Sequence, residues 1–104
     1  MKAWELEEIR RAAKGKWLAR GDRAFSGRVA IDSRSVREGD LFIAIVGKTH
    51  DGHTFMREVL GREPAAVLVH CEPSGEELGL ARAHRVSVIL ADHTVAALNR
   101  LAGV

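Results

Sequence analysis

The chain has 104 residues, 46% of them hydrophobic and 29% charged, with a formal net charge of +2. That length sustains one hydrophobic core, and the composition is globular, which excludes a disordered chain and makes a second domain unexpected. The longest apolar run, Leu41 to Val46, is far too short to span a membrane, and Met1 to Gly21 is charged throughout with no stretch fit for a secretory signal.

A cytoplasmic protein without a membrane partner is therefore expected. Cys71 is the one cysteine, which rules out an intrachain disulfide or a cysteine cluster for zinc, and it reads as a partly buried small hydrophobe. Arg10, Arg11, Lys14, Lys16, Arg20, Arg23 and Arg28 make the first third the more basic part, a pattern that reads as a solvated face. Two Trp and three Phe do not alternate with basic residues, so nothing points to a nucleic-acid partner.

In chain order, Leu6, Ile9 and Ala13 fall on one face of an amphipathic helix that stops near Gly15. Gly15 to Ala19 reads as a short strand, Arg20 to Arg23 as a polar turn and Arg28 to Ile31 as another strand. A loop follows, with Glu38-Gly39-Asp40 as its turn and Gly39 suited to positive φ. Leu41 to Val46 is a continuous apolar run, as a strand buried on both faces should be. After the polar loop Gly47 to Gly52, Asp51 is a candidate cap for a helix with Phe55, Met56, Val59 and Leu60 on its apolar face, ended by Gly61.

Ala65 to Val69 is a second buried strand. Pro73-Ser74-Gly75 opens a shorter helix through about Arg82, with Leu78 and Ala81 inward, and Val86 to Leu90 is a third apolar strand. Asp92 or Thr94 caps a last helix carrying Val95, Leu98 and Ala102 on one face. Alternating strands and helices predict an α/β fold: a small three-layer domain with a mostly parallel or mixed sheet. The end of the chain directly after that helix suggests a domain boundary.

Gly47-Lys48-Thr49 after a buried strand invites a phosphate-loop reading. That motif needs a glycine where Phe42 stands, and Ile43 to Val46 is strand-like, so an ATP loop is not expected here. His50 and His53 are three apart, but no third ligand is apparent and no metal site is expected. His70, His84 and His93 read as isolated surface or edge residues. Ser33 lacks the setting of a catalytic nucleophile. Asp32-Ser33-Arg34 reads either as an anion-recognition loop or as a turn held by Asp32 and Arg34, and spacing alone leaves both open.

Ile31-Asp32-Ser33-Arg34, then Gly39-Asp40-Leu41-Phe42-Ile43-Ala44, Gly47 and Asp51-Gly52-His53-Thr54-Phe55 together resemble the N-terminal domain signature of the Mur ligases. The match is specific from Val29 to Phe55 and weaker over the rest. It departs at Arg62-Glu63-Pro64, where the family usually has a Gly-Ala pair. The resemblance implies a domain that grips the UDP end of a UDP-N-acetylmuramoyl-peptide. By position, Ser33 would lie near the uridine diphosphate, with Lys48 and Thr49 in the loop that meets the uracil and Ile31 beside it. Asp32 and Arg34 would shape that loop, and Asp51, Gly52 and His53 would form the opening of the following helix.

The opening helix and the segment Ala91 to Leu98 look more like members that add D-alanyl-D-alanine than like those that add the third peptide residue. The family's ATP and magnesium sites belong to a central domain, and its amine acceptor site to a C-terminal one. The resemblance therefore implies no catalytic residue, cofactor or metal in these 104 residues, and both other domains as partners. A stand-alone nucleotide-binding module that has lost the chemistry is the alternative.

Overall fold

The computed structural model describes residues 5–44 and 55–91. Five strands, β1 (Lys16–Ala19), β2 (Val29–Ala30), β3 (Leu41–Ile43), β4 (Ala66–Val69) and β5 (Ser87–Leu90), form a single sheet in the order β1-β5-β4-β3-β2. β2 to β5 run parallel, and β1 pairs antiparallel with β5, placing Lys16 opposite Leu90. Three helices accompany them: α1 (Leu6–Ala13), α2 (Met56–Gly61) and α3 (Gly75–Ala83).

Side chains alternate across a strand, and here each alternate set finds its own layer. Leu41, Ile43, Ala66, Leu68 and Ile89 face Ile9 and Ala13 of α1, with Leu6, Trp17 and Phe25 packed alongside. Phe42, Val67, Val69 and Val88 face Met56, Val59 and Leu60 of α2 and Ala81 of α3. The central strands are buried on both faces, which is why β3 and β4 are apolar at every position and β5 departs only at Ser87, whose hydroxyl accepts from Gly21 N–H. Removing a side chain such as Phe42 from water contributes on the order of 1.5–3 kcal/mol. The fold is the expected three-layer α/β domain with a mixed sheet.

Several local boundaries differ from the sequence reading. α2 ends at Gly61 as expected, but Gly61 does not make the turn: the cap Arg62 stays right-handed and the chain reverses at Glu63, with φ of 59°. Glu63 is held there because its carbonyl accepts from Gly39 N–H at 3.3 Å and its carboxylate accepts from Arg23 at 2.6 Å. Phe55 is 39% exposed rather than inward. It precedes the first turn with φ −101° and ψ 18°, outside the helical register that buries Met56. Cys71 is exposed, because the chain leaves the sheet after Val69.

The segment from Arg20 to Arg28 runs as a strap along the amino ends of the parallel strands. Gly21 N–H donates to Ser87 Oγ at 2.9 Å, and a Cβ on Gly21 would stand 1.9 Å from the Arg85 carbonyl oxygen. Ser26 N–H donates to Gly39 O at 2.8 Å, with Gly39 at the expected positive φ of 84°. Arg23, only 12% exposed, donates from Nε to His84 O and from Nη2 to Glu63, whose carboxylate also meets His84 Nδ1 at 3.2 Å. Arg23 and His84 are thus part of the packed structure, against the expectation of a solvated basic face and an isolated histidine. Among the described residues no helix is long and apolar enough to cross a membrane. The expected final helix lies outside the described residues.

Candidate functional site

A parallel sheet sends consecutive strands out at one edge, so the loops that follow them cluster there, and open α/β sheets use that edge for ligands. Here β2 exits at Ile31, β3 at Ala44, β4 at His70 and β5 at Ala91. Ala30 pairs with Phe42, which sets the Ile31–Arg34 turn beside the exit of β3. Ala44 N–H donates to Leu68 O at 3.0 Å and Ala91 N–H to Val69 O at 2.8 Å, so this edge stays ordered past the formal strand ends.

The turn itself is built by Asp32. Its Oδ1 accepts from Arg34 N–H at 2.9 Å, and its carbonyl accepts from Ser35 N–H at 3.0 Å and Ser35 Oγ at 2.9 Å. These bonds fold Ser33–Ser35 into a 3-10 turn. Val36 then enters the core and fixes the turn against the sheet. Arg62 Nη1 donates to Arg34 O at 3.3 Å, joining the turn to the far end of α2. The Arg34 side chain is 84% exposed and meets Asp32 at 3.5 Å, too long and too wet to hold the turn as firmly as the Asp32 cap does.

Ser33 is 8% exposed, one of three buried polar residues among those described, and its hydroxyl forms no hydrogen bond within the described residues. Ile31 next to it is 55% exposed. An apolar side chain in water thus stands beside a polar one tucked against the protein, at the edge where ligands sit. Of the residues singled out in the sequence, Ile31, Asp32, Ser33 and Arg34 are brought together in this turn. Lys48, Thr49, Asp51, Gly52 and His53 lie outside the described residues.

The described residues do not fit an ATP loop. Phe42 is fully buried in β3 where a phosphate loop requires glycine, and Ile43 pairs with Leu68 as a regular strand residue. No group of three His, Cys, Asp or Glu side chains able to hold a metal occurs among the described residues. Open cavities of about 460 Å³ and 350 Å³ lie at the other edge, between the strap and the residues preceding β3 and β5. Their position does not coincide with the Ser33 turn. Sequence reading missed this edge because its arginines come from segments far apart in the chain.

The sequence model described as "Mur ligase family, catalytic domain" matches residues 27–103. The chain belongs to the Mur ligase family. It is 36% identical over 101 residues to a UDP-N-acetylmuramoyl-tripeptide–D-alanyl-D-alanine ligase of Treponema pallidum, covering 93% of this chain and 22% of that protein. It is 39% identical over 61 residues to a UDP-N-acetylmuramoyl-L-alanyl-D-glutamate–2,6-diaminopimelate ligase of Haemophilus influenzae, covering 59% of this chain and 12% of the relative. Its fold matches a crystal structure of MurF from Acinetobacter baumannii with a TM-score of 0.74, at 22% identity, over 97% of this chain and 20% of the other. This Mur ligase chain thus spans about a fifth of the Treponema and Acinetobacter proteins.

Proposed function

We propose that this chain is the UDP-anchoring domain of an ATP-dependent, cytoplasmic ligase of peptidoglycan precursors. The observation that carries the reading is the Ser33 turn: a buried serine whose hydroxyl has no hydrogen bond among the described residues, at the carboxyl edge of the sheet, in a chain of this family. A serine hydroxyl there is suited to donate to a phosphate oxygen. Ile31 supplies an apolar surface for the base, with Lys48 and Thr49 as the further contacts. Asp32 and Arg34 set the shape of the turn, and Asp51, Gly52 and His53 that of the loop leading to α2.

The reaction assigned to the parent is addition of D-alanyl-D-alanine to UDP-N-acetylmuramoyl-tripeptide. The likeness to the Treponema ligase across 93% of the chain favours it over the third-residue ligases, whose Haemophilus member is matched over 59%. ATP and magnesium would act in a central domain, and the amine acceptor would bind in a C-terminal one. This domain's part is to hold the nucleotide end while chemistry proceeds elsewhere.

Calorimetric titration with UDP tests the reading. Affinity in the high micromolar to millimolar range is expected, about 4–6 kcal/mol, because the other domains supply the remaining contacts. Ser33→Ala should weaken it severalfold. Equal binding by both proteins would remove Ser33 from the site, and no binding at millimolar UDP would favour a module that kept the fold without the ligand.

A further inference from the structure

The basic character of the first third of the chain is only partly absorbed by the fold. Arg23 and Arg28 are committed to ion pairs with Glu63 and Asp40, but Arg20 is not. Arg20 lies with Arg82 and Arg85 around the cavity of about 350 Å³ at the amino edge, whose other walls are Gly21, Asp22 and Val86. Three arginines and one aspartate therefore line the same cavity.

None of the three is neutralised by a close ion pair among the described residues. Arg85 meets Asp22 at 3.6 Å, beyond hydrogen-bond length, with both side chains more than 60% exposed. The Arg82 side chain has neither an ion pair nor a hydrogen bond among the described residues. Arg20 stacks on the Trp17 ring at 4.5 Å, which orients the guanidinium and leaves its in-plane N–H groups available. The floor is rigid, since Gly21 lies directly against the Arg85–Val86 backbone and is bonded to Ser87. Complementing the carbonyl end of α3 accounts for Arg82 in its last turn, but not for Arg20, which comes from the end of β1.

We propose that this groove binds a small multivalent oxyanion of the pyrophosphate class, at a site separate from the Ser33 turn and independent of the UDP reading. The planar guanidinium forks of three arginines lining one cavity suit the paired oxygens of phosphoryl groups. Such an anion would bridge the strap and the end of α3.

Amide-detected NMR titration of the 104-residue chain with sodium pyrophosphate, against sodium chloride at matched ionic strength, tests it. Saturable shifts at Gly21 and at Arg82 to Val86 are expected, with Kd in the millimolar range. The double variant Arg82→Gln, Arg85→Gln should weaken binding by about fivefold or more, and Ser33→Ala should leave it unchanged. Arg82→Gln alone, at an exposed side chain with no partner among the described residues, gives the same direction if the double variant folds poorly. Chloride reproducing the shifts, unchanged affinity in the arginine variants, or loss in Ser33→Ala would each overturn the proposal.

Discussion

Arg28 donates from Nη1 to the buried carboxylate of Asp40, and the pair closes the loop that carries the Ser33 turn. Asp40 is 2% exposed on its side chain and also accepts from Arg37 N–H at 2.8 Å, while Arg28 donates to Ser35 O at 3.0 Å. Asp40→Ala strands these donors and should cost about 2–4 kcal/mol, less than a fully buried pair because Arg28 is 41% exposed. Asp40→Asn keeps an acceptor and should cost less. Urea unfolding of the two variants checks the order; an Ala variant as stable as the parent would remove the pair from the stability of the turn.

Acid should loosen the α1–β1 contact. The Glu7 carboxylate accepts from Arg10 and from Trp17 Nε1 at 3.1 Å. The Arg10 hydrogen bond, opposed by partial burial and assisted by Trp17, holds its pKa down from 4.5 to about 2. A lowered folded-state pKa gives stability that is present above 4.5 and is lost as the pH falls from there through about 2. Thermal midpoints across that window should fall more steeply for the parent than for Glu7→Gln. Parallel curves would show that Glu7 is not linked to folding.

The strap depends on a missing side chain at Gly21. Its φ is ordinary, so the constraint is space: a Cβ meets the Arg85 carbonyl oxygen at 1.9 Å and Val86 N at 2.9 Å. Both are backbone atoms at the start of a buried strand and cannot swing aside. Gly21→Ala should destabilise by about 3 kcal/mol or more, or abolish folding, as measured by circular dichroism and denaturant unfolding.

Helix α3 rests on its cap. Ser74 Oγ accepts from Glu77 N–H at 3.1 Å, and Glu77 Oε1 accepts from Ser74 N–H at 2.9 Å. Ser74→Ala should cost about 1 kcal/mol, and a double-mutant cycle with Glu77→Ala should show coupling between the two bonds.

The apolar runs of β3 and β4 were legible because strands buried on both faces leave no polar position to confuse the pattern, and β5 was legible from Val86, Val88, Ile89 and Leu90 around the single polar Ser87. α1 was legible from Leu6, Ile9 and Ala13, and the Asp32–Arg34 turn from its residue types. The antiparallel docking of β1 on β5 was not, since Trp17 meets Ile89 across most of the chain and no local signal carries that pairing. Arg23 was missed for a related reason: buried arginine is readable only once Glu63 and the His84 carbonyl are seen beside it. Within the candidate site, residue type marked Ser33, but its burial depends on Val36 entering the core three residues later.

We propose that the carboxyl edge, at Ser33, holds the UDP end of the substrate. Amide-resolved titration of the chain with UDP, with uridine as the control lacking phosphate, tests it most directly. Saturable shifts centred on Ile31 to Arg34 are expected, stronger for UDP than for uridine and weakened by Ser33→Ala. Shifts confined to Gly21 and Arg82 to Val86, with Ile31 to Arg34 silent, would contradict it.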